Sequence, residues 1–193
     1  MLVTLQQFLR GCQEHVPKTR TQVAKKAKVE EIVEAAERRL RDGGYEALSV
    51  AAISRELGLA QNAIYWYFPS KDHLFVAALD RLLRDIAARK PSRSTDAIVR
   101  ILWFADQFSV LWGLQGAIAE RARSSDVVSE FVRNLDELLA RMLTNAFRGH
   151  VCEDELPIAI EAFRSTIAGT FVRGLDRKQR DRELRFVLAR LWS

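Results

Sequence analysis

The stretch from Ser49 to Leu74, SVAAISRELGLAQNAIYWYFPSKDHL, constrains the fold more than any other part of this 193-residue chain. It divides at Gly58 into two short segments with helical spacing. In the first, Ser49 stands where a cap belongs, and Val50, Ile53 and Leu57 recur at i, i+3 and i+7 to give one narrow apolar face. Gly58 supplies the positive φ that a tight turn between helices needs. The second segment, from Ala60 to Phe68, turns Ile64 and Phe68 inward and leaves Gln61, Asn62, Tyr65 and Tyr67 on the opposite face. Ser70, Lys71 and Asp72 then open a third helix, with Leu74 as its first apolar residue. Two short helices joined in this way form a helix-turn-helix. In a major groove, the first turn of the second helix reaches base edges, where the amides of Gln61 and Asn62 can pair with an adenine. The hydroxyls of Tyr65 and Tyr67 reach phosphates, which position a helix without reading sequence.

The same residues resemble the DNA-binding signature of the TetR family of bacterial transcriptional regulators. In that signature a turn glycine precedes a short recognition helix that ends in an aromatic cluster, and a Ser/Asn-Lys pair opens the next helix. Here these are Gly58-Leu59, Tyr65-Trp66-Tyr67-Phe68 and Ser70-Lys71, and the resemblance covers residues 28 to 80. Two positions depart from it. Ala60 and Ala63 stand where hydroxyl residues are common, and a missing cap costs a helix about 1 kcal/mol. The resemblance implies an all-α fold in which a three-helix DNA-binding domain is followed by six helices that bind a ligand and form a dimer.

Charge is informative by its location. Residues 1 to 28 hold Arg10, Lys18, Arg20, Lys25, Lys26 and Lys28 against Glu14 alone, so the chain's whole net charge of +5 lies just before the helix-turn-helix. A basic arm in that place suits a phosphate backbone. Lys71, in a first helical turn where the macrodipole disfavours a cation, is better placed if it meets a phosphate. The candidate DNA-facing set is therefore Lys25, Lys26, Lys28, Ser49, Ala60, Gln61, Asn62, Tyr65, Tyr67 and Lys71.

Before the motif, Leu2, Leu5, Phe8 and Leu9 allow a short helix that Pro17 ends, an extension over residues 1 to 20. Val29, Ile32, Val33, Ala36 and Leu40 predict a long helix over 21 to 42, stopped by Gly43-Gly44. The DNA-binding domain is expected to span 21–75 and the ligand-binding and dimerisation domain 76–193. After a helix from Ser70 to Lys90, Pro91, Ser92 and Ser94 form a break. Helical periodicity then predicts helices near 94–112, 114–123, 126–147, 154–172 and 178–192, nine in all.

Trp103, Phe104, Gln107, Phe108 and Trp112 form a broad stripe that mixes aromatics with a polar amide. Buried indoles need partners, and aromatics with a few polar groups suit a small-molecule site. Phe131, Asn134, Met142, Phe147 and Phe163 are candidates to join them around an apolar inducer. In the last two helices, Ile160, Phe163, Ile167 and Phe171 face one way and Leu184, Val187, Leu188 and Leu191 form a matching stripe. The resemblance implies that these helices make a four-helix bundle between two subunits. Two recognition helices set about one DNA turn apart read a palindrome, so a homodimer on double-stranded DNA is expected.

The remaining signals exclude other classes. There is no G-x-S-x-G, H-E-x-x-H, Walker A or G-x-G-x-x-G motif, so no enzyme and no cofactor is expected. His15, His73 and His150 are scattered, and His150-x-Cys152-Glu153 lacks the further ligands a metal needs. The apolar stretches are too short or too interrupted for a membrane span, and no signal peptide is expected because Gln6, Gln7 and Arg10 interrupt any apolar run. Two unpatterned cysteines, Cys12 and Cys152, fit a cytoplasmic protein. A ligand-responsive repressor is the leading reading. The competing one is a helical small-molecule or partner-binding protein without specific DNA reading, to which Ala60 and Ala63 point.

Overall fold

The computed structural model describes residues 20–92 and 96–192, with side chains from residue 25 onward. The expected helix over 2 to 16, Pro17, Arg10, Lys18, Cys12, Ser94 and the side chain of Arg20 lie outside the described residues. Those that are described form ten helical segments and no strand. These are α1 (Arg20–Ala47), α2 (Val50–Glu56), α3 (Gln61–Tyr67), α4 (Lys71–Ala88), α5 (Ala97–Gln107), α6 (Ser109–Gly113), α7 (Gln115–Ala122), α8 (Asp126–Phe147), α9 (Leu156–Val172) and α10 (Arg177–Leu191). The predicted helix over 94–112 is broken at Phe108, where ψ relaxes to −2°, so α5 and α6 replace one element. With that pair counted as one, the arrangement is three helices followed by six.

The chain forms two compact units. One runs to Arg89 and takes in Leu114–Val132, whereas the other comprises Lys90–Gly113 and Arg133–Ser193. In the first, α1 presents Ile32, Val33, Ala36 and Leu40 to the buried Leu74, Phe75, Ala78, Leu79 and Leu82 of α4. Arg81 of α4 reinforces that packing by reaching Glu30 at 2.9 Å and Glu37 at 2.8 Å on α1. Gly44, at φ +68°, bends α1 sharply before Tyr45, as a residue without Cβ can. Leu114, Ile118, Val128 and Phe131, from much later in the chain, are buried in the same unit.

The second unit is built on a core of Ile101, Leu102, Ala105, Phe147, Leu156, Ala159, Ile160, Phe163, Leu184 and Leu188. Asp96 caps α5 by accepting from the Val99 amide at 3.1 Å. Asp176 and Gln179 form a reciprocal capping box at the start of α10. Pro157 sits in the first turn of α9, where its missing N–H is no loss.

Candidate nucleic-acid interface

The two short helices are held from inside. Ser49 Oγ accepts from the Ala52 amide at 3.2 Å, so this residue of the DNA-facing set works as the cap of α2. Gly58 takes φ +64°, and the turn closes when the Leu59 amide donates to the Ser54 carbonyl at 2.8 Å. Glu56 ties α2 to α1 by accepting from Arg39 at 2.9 Å and from Arg38. The Arg39 hydrogen bond is the main reason that its carboxyl lies below the usual range. Ala60 precedes α3 in an extended conformation with no side-chain cap, as its methyl group dictates.

Ile64 has no exposed surface and Phe68 is buried, which anchors α3 along one side. The other side turns outward, with Ala60, Gln61, Asn62 and Tyr65 exposed. Trp66 is 90% exposed, although it lies outside the DNA-facing set expected from sequence. The signal was there, since Trp66 follows Asn62 by four residues and so shares its face. Tyr67 is half-buried, and Lys25 lies 5.9 Å from its ring centroid. Lys26 is exposed, while Lys28 pairs with Glu31 at 2.6 Å.

Lys71 is placed by a different set of contacts. Its Nζ lies 3.9 Å from the Tyr45 ring centroid, and the Tyr45 hydroxyl donates to Asp72 Oδ1 at 2.7 Å. Arg121 of α7 donates to the same oxygen through Nε at 3.0 Å and to Oδ2 through Nη2 at 2.7 Å. The Arg121 hydrogen bond holds the buried Asp72 carboxyl below its ordinary range. Burial, then the bond to Asp72, pushes the Tyr45 phenol up to about 12. Nothing in the sequence pointed to Arg121, which lies 49 residues from its partner.

The candidate ligand residues are distributed differently from the expectation. Trp103, Phe104, Gln107, Phe108 and Trp112 are half-buried in the second unit, as are Asn134 and Met142. Trp103 meets Phe104 edge-on at 5.0 Å, and Phe104 stacks on Phe108 at 6.3 Å. Phe131 belongs instead to the first unit, where it is buried. Phe147 and Phe163 lie 5.4 Å apart and have no exposed surface, so they are core residues with no face to offer a ligand.

The dimer stripes need a similar correction. Phe163, Leu184 and Leu188 have no exposed surface, and Ile160 is buried too, so they have little or nothing left for a partner to cover. Ile167, Val187 and Leu191 are half-buried against that same core. Phe171 is half-buried and stacks on Trp112 at 5.0 Å. The open face of α9 is another one, formed by the exposed Ile158, Ala162, Ser165 and Val172 with the half-buried Gly169 at helical spacing between them, and Phe186 is exposed on α10. Among the described residues, no group of three or more His, Cys, Asp or Glu is arranged to hold a metal, and no single helix is long and apolar enough to cross a membrane.

Comparisons with known proteins agree with this architecture. Residues 32–78 match the model of bacterial regulatory proteins of the tetR family. The HTH-type transcriptional repressor KstR of Rhodococcus jostii is 30% identical over 142 residues, in a match covering 61% of this chain and 58% of that one. The chain therefore spans less than two thirds of that relative. A transcriptional regulator from Rhodococcus shares the fold with a TM-score of 0.70 at 19% identity, covering 84% of this chain and 95% of that one. A Saccharomonospora viridis protein solved in complex with choline aligns with a TM-score of 0.71 at 16% identity, over 85% of this chain and 96% of that one. Residues 32–78 thus carry the segment that marks bacterial regulatory proteins of the tetR family, on an all-helical fold that the chain shares with solved structures.

Proposed function

We propose that the protein is a cytoplasmic, ligand-responsive repressor whose dimer holds two copies of α3 in successive major grooves of a palindromic operator. The observation that carries this reading is the two-sidedness of α3. Ile64 has no exposed surface, while Gln61, Asn62, Tyr65 and Trp66 stand open on the other side. A large aromatic side chain left in water among polar neighbours suits a contact surface better than a fold. Lys25, Lys26 and Lys71 supply the phosphate-binding charge around it, and residues 21–75 form the DNA-binding domain. Kinship with a repressor supports repression.

A small, mainly apolar ligand releases the protein from DNA in this reading. The aromatic band of Trp103, Phe104, Phe108 and Trp112, with the Gln107 amide, has the composition of a small-molecule site. A protein with the same fold was solved in complex with choline, which supports small-molecule binding on this scaffold. The ligand acts by binding the DNA-free arrangement more tightly than the DNA-bound one. For the dimer, the face of Ile158, Ala162, Ser165, Gly169, Val172 and Phe186 replaces the stripes expected from sequence. Its small central residues let a second helix approach closely between apolar ends.

The test is the salt dependence of binding to duplex DNA taken from upstream of the protein's own gene. The binding constant should fall steeply with salt, and Gln61→Ala should change base preference while Tyr65→Phe weakens all sequences alike. Binding indifferent to salt would sink the proposal. One observation favours a second reading, a helical binding protein without specific DNA reading: α3 begins at Ala60 without a side-chain cap. An unchanged base preference in Gln61→Ala would support it.

A further inference from the structure

Arg121 is remote from α3 in sequence, yet it closes a run of contacts that ends on a basic side chain of the candidate interface. Its Nε and Nη2 reach both oxygens of Asp72, at 3.0 and 2.7 Å. Asp72 Oδ1 also accepts from the Tyr45 hydroxyl at 2.7 Å, and the Tyr45 ring carries Lys71 Nζ 3.9 Å from its centroid. Each link restricts the next. A bidentate fork leaves the carboxylate one orientation. The tethered hydroxyl, with Phe75 edge-on to the ring at 4.9 Å, keeps the ring from turning. An ammonium over an aromatic face is held by the ring's quadrupole while N–H groups stay free for an anion. Lys71 stands in the first turn of α4, where the macrodipole pushes a cation away, so a fixed ring beneath it matters to where its charge sits.

We propose that Arg121 is a positioning residue for DNA binding: seated on Asp72, it fixes through Tyr45 the ammonium that Lys71 offers to a phosphate, and does not touch DNA itself. This rests on the reading of Lys71 as a phosphate contact. It gives a function to Leu114–Val132, the part of the later chain that belongs to the same compact unit as α1 to α4. The seating of that segment thereby bears on the affinity of a surface it does not form.

The test is a double-mutant cycle with the full chain on a mixed-sequence duplex of about 30 base pairs, since phosphate contacts weaken all sequences alike. Binding is followed by fluorescence anisotropy over a salt series. Lys71→Ala should weaken binding about tenfold and lower the salt slope by about one. Arg121→Met should weaken it about three- to tenfold, and should add nothing in a Lys71→Ala background. Tyr45→Phe keeps the ring and removes only the tether, so it should give a smaller loss that also vanishes in that background. This gentler variant carries the test if Arg121→Met loses its helical circular dichroism. Losses that add in full to that of Lys71→Ala overturn the proposal, because they mean a separate contact or a general weakening. So does unchanged binding in both Arg121→Met and Tyr45→Phe. Unchanged binding in Lys71→Ala would instead remove the underlying reading of Lys71, a result distinguishable from a failure of the relay alone.

Discussion

Asp106 and Arg180 meet at 2.9 Å across 74 residues of sequence, with Arg180 buried. Its guanidinium also lies 4.7 Å from the Phe171 ring centroid. A buried cation deprived of its anion is more costly than a pair removed from its buried end. Asp106→Ala should therefore destabilise the protein by about 2–4 kcal/mol in urea unfolding, and Arg180→Met by only about 1 kcal/mol. Equal losses would show that burial of the guanidinium is not what sets the cost.

The two sides of α3 should separate stability from binding. Ile64→Ala opens a cavity at a side chain with no exposed surface and should cost about 2–5 kcal/mol. Trp66→Ala removes a side chain that touches little of the protein, so its melting temperature should match the parent while DNA binding weakens several-fold. Thermal melts and anisotropy on the same preparations check both. A large drop in the melting temperature of Trp66→Ala would place the indole in the fold instead.

Burial pushes the Asp80 carboxyl up to about 6, with Arg84 opposing the shift. The folded state thus holds this proton more tightly than the unfolded chain. The resulting stability is present in full below about pH 4 and is lost as pH rises through about 6. Asp80→Asn cannot ionise, so it should be about 1–3 kcal/mol more stable than the parent near pH 8 and close to it near pH 4. Urea titrations at the two pH values would expose the opposite sign at once.

Gly169 tests the proposed partner face. A Cβ built there meets no atom within 4 Å, so larger side chains fit the protomer. Gly169→Ala should raise helix stability by about 1 kcal/mol. Gly169→Arg should fold but run as a monomer in sedimentation velocity, because a charged side chain blocks close helix approach. A dimer that survives Gly169→Arg would move the interface elsewhere.

The first four helices were legible because chemical punctuation marks them: Ser49 and Ser70 as caps, Gly58 as the turn, and Gly43-Gly44, which kinks α1 where the sequence suggested a stop. The break at Phe108 was not, since neither glycine nor proline marks it and the apolar pattern runs on through it. The stripes on α9 and α10 were visible as apolar, but periodicity does not say which neighbour covers a face. The bulky residues Phe163, Leu184 and Leu188 fill the protomer's own core, and the open face is made largely of small residues that hydrophobicity alone underrates. Long-range polar contacts such as Asp72 with Arg121 leave no mark on a single sequence.

The burial of Leu114, Ile118, Val128 and Phe131 alongside α1 to α4 has a practical corollary for anyone trimming the chain. A fragment that ends at Arg89 would retain every residue of the recognition motif and yet shed part of its own apolar interior, along with the guanidinium that neutralises Asp72. Such an excised headpiece should melt early and broadly. Autonomy of the motif is a property of its sequence signature, not of its thermodynamics.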